Sequence, residues 1–255
     1  MNPTGNTILI TGGGSGIGQA LAHRLHDAGN TVIVSGRRQD ALDATIAGRD
    51  RMHAVTLDID DASAIADFAR RVVADHPALN VLINNAGIMK LEDAATQRDL
   101  ADAEATIVTN LLGPIRLIDA LVDHLAAQPD SAIVNLTSGL AYVPLTAAPT
   151  YSATKAAIHS YTVSLRRVLD GKVEVLEIAP PGVQTALTPG QETRPGYMPL
   201  DEFADEVMAL WADVPASGEI LVQRVRPLRN AEAEHRFAET VVQLNESAER
   251  ARRGG

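Results

Sequence analysis

The chain has 255 residues, enough to bury a large core as one α/β domain or two small ones. Its formal net charge of −10 argues against a nucleic-acid surface or an anionic membrane, since each needs a basic footprint. The chain has no cysteine, which removes disulfides, thiolate nucleophiles and cysteine-held metals.

Short apolar runs rich in β-branched residues recur along the chain. They are TILI (7–10), TVIV (31–34), HAVTL (53–57), VLIN (81–84), AIVNL (132–136), VEVLEI (173–178) and EILV (219–222). Several are unbroken rather than alternating, as strands buried on both faces should be. Helix-length stretches separate them. Residues 18–29 carry Leu21 and Leu25 one turn apart and stop at Gly29, and residues 62–76 end before Pro77. Residues 105–128 read as a long helix bent at Gly113-Pro114, because proline lacks a backbone donor. This alternation predicts one α/β domain: a doubly wound, about seven-stranded parallel sheet with helices on both faces, a Rossmann-type fold. No basic segment leads an apolar one at the start, and no apolar run approaches a membrane span, so a cytoplasmic protein is expected.

The first strand runs into TGGGSGIG (11–18) and then a helix. Gly12, Gly16 and Gly18 permit a tight turn and close backbone approach, and the helix N-terminus suits a phosphate. A dinucleotide is the ligand this context calls for. At the end of the second strand, where an acidic residue would accept hydrogen bonds from the ribose of NAD, stand Gly36, Arg37 and Arg38. A guanidinium there can grip a 2′-phosphate, so NADP(H) is favoured over NAD(H).

Ser138 follows the fifth strand, and Tyr151 and Lys155 lie one turn apart on a predicted helix. A free phenol ionises near pH 10, so proton exchange near neutrality asks for a lowered pKa. The ammonium of Lys155 is expected to supply that shift, and Ser138 to donate to a carbonyl oxygen. His23 and His26 share a helix side without a third ligand, so no metal site is expected, and H-E-x-x-H and G-x-S-x-G are both absent.

Taken together, TGGGSGIG, Asp58, NNAG (84–87), Asn110, Ser138, YSATK (151–155) and PPGVQT (180–185) resemble the short-chain dehydrogenase/reductase family in its single-domain form, in family order over about residues 6–225. TSGLA and APPGVQT are also similar to bacterial DltE-type oxidoreductases. The resemblance implies Tyr151 as acid/base, Lys155 as its modulator and ribose ligand, Ser138 as polariser of the carbonyl, and Asn110 as holder of a water that links Lys155 to solvent. Ser15 and Ile17 would join the glycines at the phosphates and ribose. Asp58 and the Ile59 amide would meet the adenine, while Asn85, Ala86 and Gly87 would line the adenosine ribose. Val183 and Thr185 would hold the carboxamide, although Pro181 replaces the usual glycine of that loop and restricts it. Asn84 reads instead as a residue that satisfies backbone groups between strands.

The implied reaction is NADPH-dependent reduction of a carbonyl, or the reverse alcohol oxidation. A non-catalytic NADP(H)-binding regulator on the same fold, or an NAD-linked dehydrogenase, is the alternative. The substrate pocket is expected from Met89, Leu140, Tyr142, Val143, Tyr197 and Met198, which suggests a small, uncharged, apolar ketone or aldehyde. Residues 186–199, rich in proline and glycine, read as a lid. Residues 229–250 read as a C-terminal packing or subunit-contact helix, and the family analogy implies a homodimer or homotetramer.

Overall fold

The computed structural model describes residues 3–253. Seven parallel strands form one sheet in the order β3-β2-β1-β4-β5-β6-β7. They are β1 (Thr7–Thr11), β2 (Thr31–Gly36), β3 (Met52–Thr56), β4 (Leu79–Asn84), β5 (Ala132–Leu136), β6 (Glu174–Ile178) and β7 (Glu219–Ile220). Every apolar run read as a strand contributes one. The chain builds outward from β1 to β3 and then returns to the other side of β1 with β4. At that reversal the connections leave in opposite directions, which opens a crevice at the carboxyl ends of β1 and β4.

Side chains alternate across the sheet. Ile8 and Val32, then Ile10 and Val34, lie side by side on one face, with Leu9 and Ile33 on the other. The first face is covered by α1 (Gly16–Asp27) and α7 (Leu200–Trp211) through Leu21, Leu25, Phe203, Val207 and Trp211. The second is covered by α3 (Ala62–Asp75), α5 (Gly113–Ala126) and α6 (Pro149–Val168) through Phe68, Leu117, Leu121, Leu125 and Leu165. Burial on both faces explains the unbroken apolar runs.

Two regions depart from expectation. Where a bend at Gly113-Pro114 was expected, the long helix carries a π-turn over Val108–Leu112, between α4 (Ala101–Ile107) and α5. Pro114 sits in the first turn of α5 and does not break it there. The whole stretch Ala101–Ala126 is long and apolar enough to cross a membrane by length and composition, contrary to the sequence reading. Its apolar face is spent on the core, where Leu117, Leu121 and Leu125 are fully buried. At the other end, a short α8 (Arg226–Arg229) and a separate α9 (Phe237–Arg253) replace the single helix expected over 229–250. His235, at φ 57°, lies in the break between them. The closing Gly254 and Gly255 lie outside the described residues.

Candidate active site

The crevice is built first by backbone. Gly12 turns the chain out of β1 at φ 66°, and the Thr11 hydroxyl accepts from the amides of Asn85 and Ala86, both at 3.0 Å. Asn85 Nδ2 donates to the carbonyls of Thr11 and Gly12 at 2.8 and 3.2 Å. The segment after β4 is thereby bolted to the glycine turn. A Cβ on Gly18 would meet Gly12 O and Asn85 Nδ2, both at 2.4 Å, so only glycine lets α1 pass there. Ser15, at the N-cap of α1, makes no side-chain capping bond among the described residues. Ser15, Gly16 and Ile17 line the crevice, which leaves the first-turn amides of α1 available to an anion.

The cavity holds about 540 Å³. It is lined by Gly12, Ser15, Gly16 and Ile17, by Arg37, Asp58 and Ile59, by Asn85, Ala86 and Gly87, and by Ser138, Tyr151, Lys155, Val183 and Thr185. A cleft with a glycine-lined, amide-rich wall fits a dinucleotide. Pro181 lines the crevice without displacing Val183 or Thr185 from it. Arg38 instead stands at the N-cap of α2 (Gln39–Ile46), outside the lining. Gly18 and Asn110 support the wall rather than face the cavity. Asp58 both lines the cleft and caps the turn after β3, accepting from the Asp60 amide at 3.1 Å. Asn84 does not serve backbone groups as expected: its Nδ2 donates to the Asn135 side chain at 2.9 Å, its register partner on β5.

Ser138 lies close to Tyr151, and the Lys155 ammonium lies 5.7 Å from the Tyr151 ring centroid on the same side of α6. Burial pushes the Tyr151 phenol up to about 12; the Ser138 hydroxyl opposes this and the nearby Tyr197 phenol adds to it. Burial also pushes Lys155 down to about 8, and its Nζ donates to Leu136 O at 2.8 Å. Desolvation is the largest cause of both shifts, since burial disfavours the charged form of each group. Asn110, on the π-turn, accepts from the Ile88 amide at 2.8 Å and donates to Ile88 O at 2.9 Å and Thr154 Oγ1 at 3.3 Å. It thus ties α6 to the segment after β4.

The substrate side differs from expectation. Met89 lines the cavity, but Tyr142, Val143 and Met198 do not. The Tyr142 hydroxyl donates to Glu177 on β6 at 2.9 Å and lies 3.3 Å from Glu219 on β7. Val143 and Met198 are fully buried, and Met198 forms a bridge to Val183. Leu140 packs in a small apolar cluster with Met89, Leu145, Tyr151 and Ala248 of α9. The Tyr197 ring lies over Gly182, outside the lining but close enough to Tyr151 to shift it. Apolarity alone does not separate a wall residue from a core residue, and Val143 and Met198 went to the core.

Other residues take those places. Leu187, Pro189 and Gln191, from the expected lid, line the cavity. The buried Gln191 donates to Val183 O at 2.8 Å and Thr185 Oγ1 at 3.1 Å, while Met198 N donates to Gly182 O and Gln184 N to Met198 O, both at 2.8 Å. The segment is stitched to the loop it covers. Glu92, whose side chain is 5% exposed, accepts from Thr150 N at 3.1 Å and Thr150 Oγ1 at 2.7 Å and pairs with Arg98 at 2.7 Å. It caps α6 one residue before Tyr151, where the N-cap residue Ala148 offers nothing. Asn245 of α9 accepts from Thr146 N at 2.7 Å and Oγ1 at 2.8 Å and donates to Pro144 O at 3.2 Å. No local pattern in the sequence announces either contact.

A parallel sheet with its crevice at the β1/β4 reversal defines a Rossmann-type fold. The chain belongs to the short chain dehydrogenase family, whose pattern matches residues 6–195, and is an oxidoreductase of that family. It is 39% identical over 236 residues to the uncharacterized oxidoreductase DltE of Bacillus subtilis, covering 91% of this chain and 93% of that protein. It is 34% identical to sulfoacetaldehyde reductase 2 of Chromohalobacter salexigens, over 71% of this chain and 74% of that one. A short chain dehydrogenase from Burkholderia cenocepacia, solved in complex with NADP, superposes with a TM-score of 0.82 at 25% identity, covering 93% of this chain and 97% of that one.

Proposed function

We propose that the protein is an NADPH-dependent carbonyl reductase, or in reverse an alcohol dehydrogenase, acting on a small, uncharged, apolar ketone or aldehyde. The carrying observation is that Ser138, Tyr151 and Lys155 come together on the wall of one crevice of about 540 Å³ that the glycine turn also lines. Arg37 is exposed at the crevice and makes no ion pair among the described residues, which favours a 2′-phosphate. The B. cenocepacia relative, bound to NADP, supports the same choice.

NADPH, when bound, would supply the hydride. The amides of Ser15, Gly16 and Ile17 would hold its phosphates, Asp58 and Ile59 its adenine, and Asn85, Ala86 and Gly87 its ribose. Val183 and Thr185 would hold its carboxamide. Ser138 donates to the carbonyl oxygen, and Tyr151, kept protonated by burial, delivers its proton to that oxygen. Met89, Leu187 and Pro189 give the substrate end its apolar surface. The protein works in the cytoplasm as a homodimer or homotetramer, joined through the helices that carry Asn110 and Tyr151. Ile107, Val163 and Val168 leave 40%, 48% and 72% of their surface exposed there.

The test follows NADPH absorbance over a panel of ketones and aldehydes. Tyr151→Phe is expected to lower kcat roughly 100- to 10,000-fold while NADPH still binds. Tight NADPH binding by the parent with no turnover on a broad panel would point to a cofactor-binding regulator and overturn the proposal.

A further inference from the structure

We propose that Glu177 is a positioning residue for the Ser138–Tyr151 pair: one buried carboxylate sets the strand end that carries the serine against the helix that carries the tyrosine and lysine. The inference rests on the carbonyl-reductase reading of that pair.

Glu177 lies on β6, between β5 and β7, and is fully buried. Its oxygens accept from three elements. The Thr137 hydroxyl donates at 2.7 Å, the Tyr142 hydroxyl at 2.9 Å, and His159 Nδ1 lies 2.9 and 2.8 Å from the two oxygens. Thr137 immediately precedes Ser138, and Tyr142 closes the short turn Gly139–Ala141 that follows it. His159 stands one turn past Lys155 and two turns past Tyr151 on α6. The carboxylate therefore grips the serine's turn on both sides and the catalytic helix at a third point.

A second layer braces the first. Arg229 donates to both oxygens of Glu219, at 2.6 and 3.1 Å, and its guanidinium carbon lies 5.0 Å from the Tyr142 ring centroid. Tyr142 is within 3.3 Å of Glu219. The two carboxylates thus meet Arg229 and His159 from inside the protein. Glu177, His159 and Glu219 also offer ligand atoms within 4.8 Å of one another, but Arg229 already takes both Glu219 oxygens, so geometry favours a charge-balanced network over a cation site.

Packing does not explain such a group. Apolar residues of similar volume often stabilise a core as well as or better than a buried ionic cluster. What the carboxylate adds is direction, since three donors on separate elements must converge on it. Both catalytic carriers are among them.

Glu177→Gln keeps the volume and removes the charge that organises the donors. In the NADPH-bound protein it should leave NADPH affinity and substrate KM near parental values and lower kcat roughly 10- to 100-fold. Thr137→Val should lower kcat less, and the double variant should be no worse than Glu177→Gln alone. Ring-labelled tyrosine, with the Tyr151 resonance assigned by Tyr151→Phe, gives a second readout in the NADP complex: that resonance should move in Glu177→Gln. A folded Glu177→Gln protein with parental kcat and an unmoved Tyr151 resonance would overturn the inference. So would a loss of kcat matched by an equal loss of NADPH binding. If Glu177→Gln fails to fold, Thr137→Val and Tyr142→Phe, which keep the carboxylate, carry the same two readouts. If the parent reduces no carbonyl, a moved Tyr151 resonance upholds the positioning while the assigned reaction falls.

Discussion

The two ends of the crevice are made differently. The dinucleotide end draws on residues 11–87, from β1 to just past β4, and its contacts join side chains to backbone around the glycine turn, such as the Thr11 hydroxyl holding two amides and Gly18 passing under Asn85. The substrate end is assembled from Met89, the turn after Ser138, the segment 180–191 and, through Asn245, the C-terminal helix. The first is fixed by what glycine permits; the second is fixed by side chains that meet across long stretches of chain. A family can therefore keep one end rigid and vary the other.

Four measurements would break or sharpen that contrast. Gly18→Ala should do the most damage: its methyl would meet Gly12 O and Asn85 Nδ2 at 2.4 Å, both held by their own bonds. We expect a loss of about 1–3 kcal/mol in urea unfolding together with weakened NADPH binding. Met89→Leu, at the other end, should change KM for the carbonyl and leave stability near the parent's. If the two substitutions cost alike, the contrast fails. Arg37→Ala should raise Kd for NADPH roughly 10- to 100-fold and leave NADH nearly unchanged, while Arg38→Ala should alter neither. Equal effects of Arg37→Ala on both cofactors would remove the case for the 2′-phosphate. Asn245→Ala strips Thr146 of its acceptor, so it should cost about 1 kcal/mol and raise substrate KM without touching NADPH affinity.

The smallest effect concerns pH. The folded protein releases the Lys155 proton near 8, whereas the unfolded chain keeps it up to about 10.5. The unfolded state thus binds more protons across that window, and stability should rise through it. Tyr151 acts in the opposite sense between 10 and about 12, where the unfolded chain loses its proton first. Thermal melts from pH 7 upward should show the rise in the parent and a flatter curve in Lys155→Met.

The sheet was readable because strands buried on both faces leave unbroken apolar runs, and the glycine turn because each glycine answers a local steric demand. Ser138, Tyr151 and Lys155 were readable from their place after β5 and one turn apart on α6. Tyr142, Val143 and Met198 were misplaced because apolar residues near a site look alike in sequence, whether they face the cavity or the core. Glu92 was invisible for another reason: it acts on Thr150, 58 residues away. A cap supplied from that distance leaves no mark beside the helix it caps. The burial that works against the charged forms of Tyr151 and Lys155 was not legible, because a sequence lists the ammonium next to a phenol but not the water both have lost.

The bond between Asn245 and Thr146 spans 99 residues. During synthesis the chain emerges amino end first, so the strands of the dinucleotide end leave the ribosome long before α9 does. The brace on the wall beside Ser138 is thus the last part of the crevice to be made. On the proposed reading, a message cut short ahead of Asn245 would yield a product that keeps the dinucleotide end without the finished selectivity of the full-length chain.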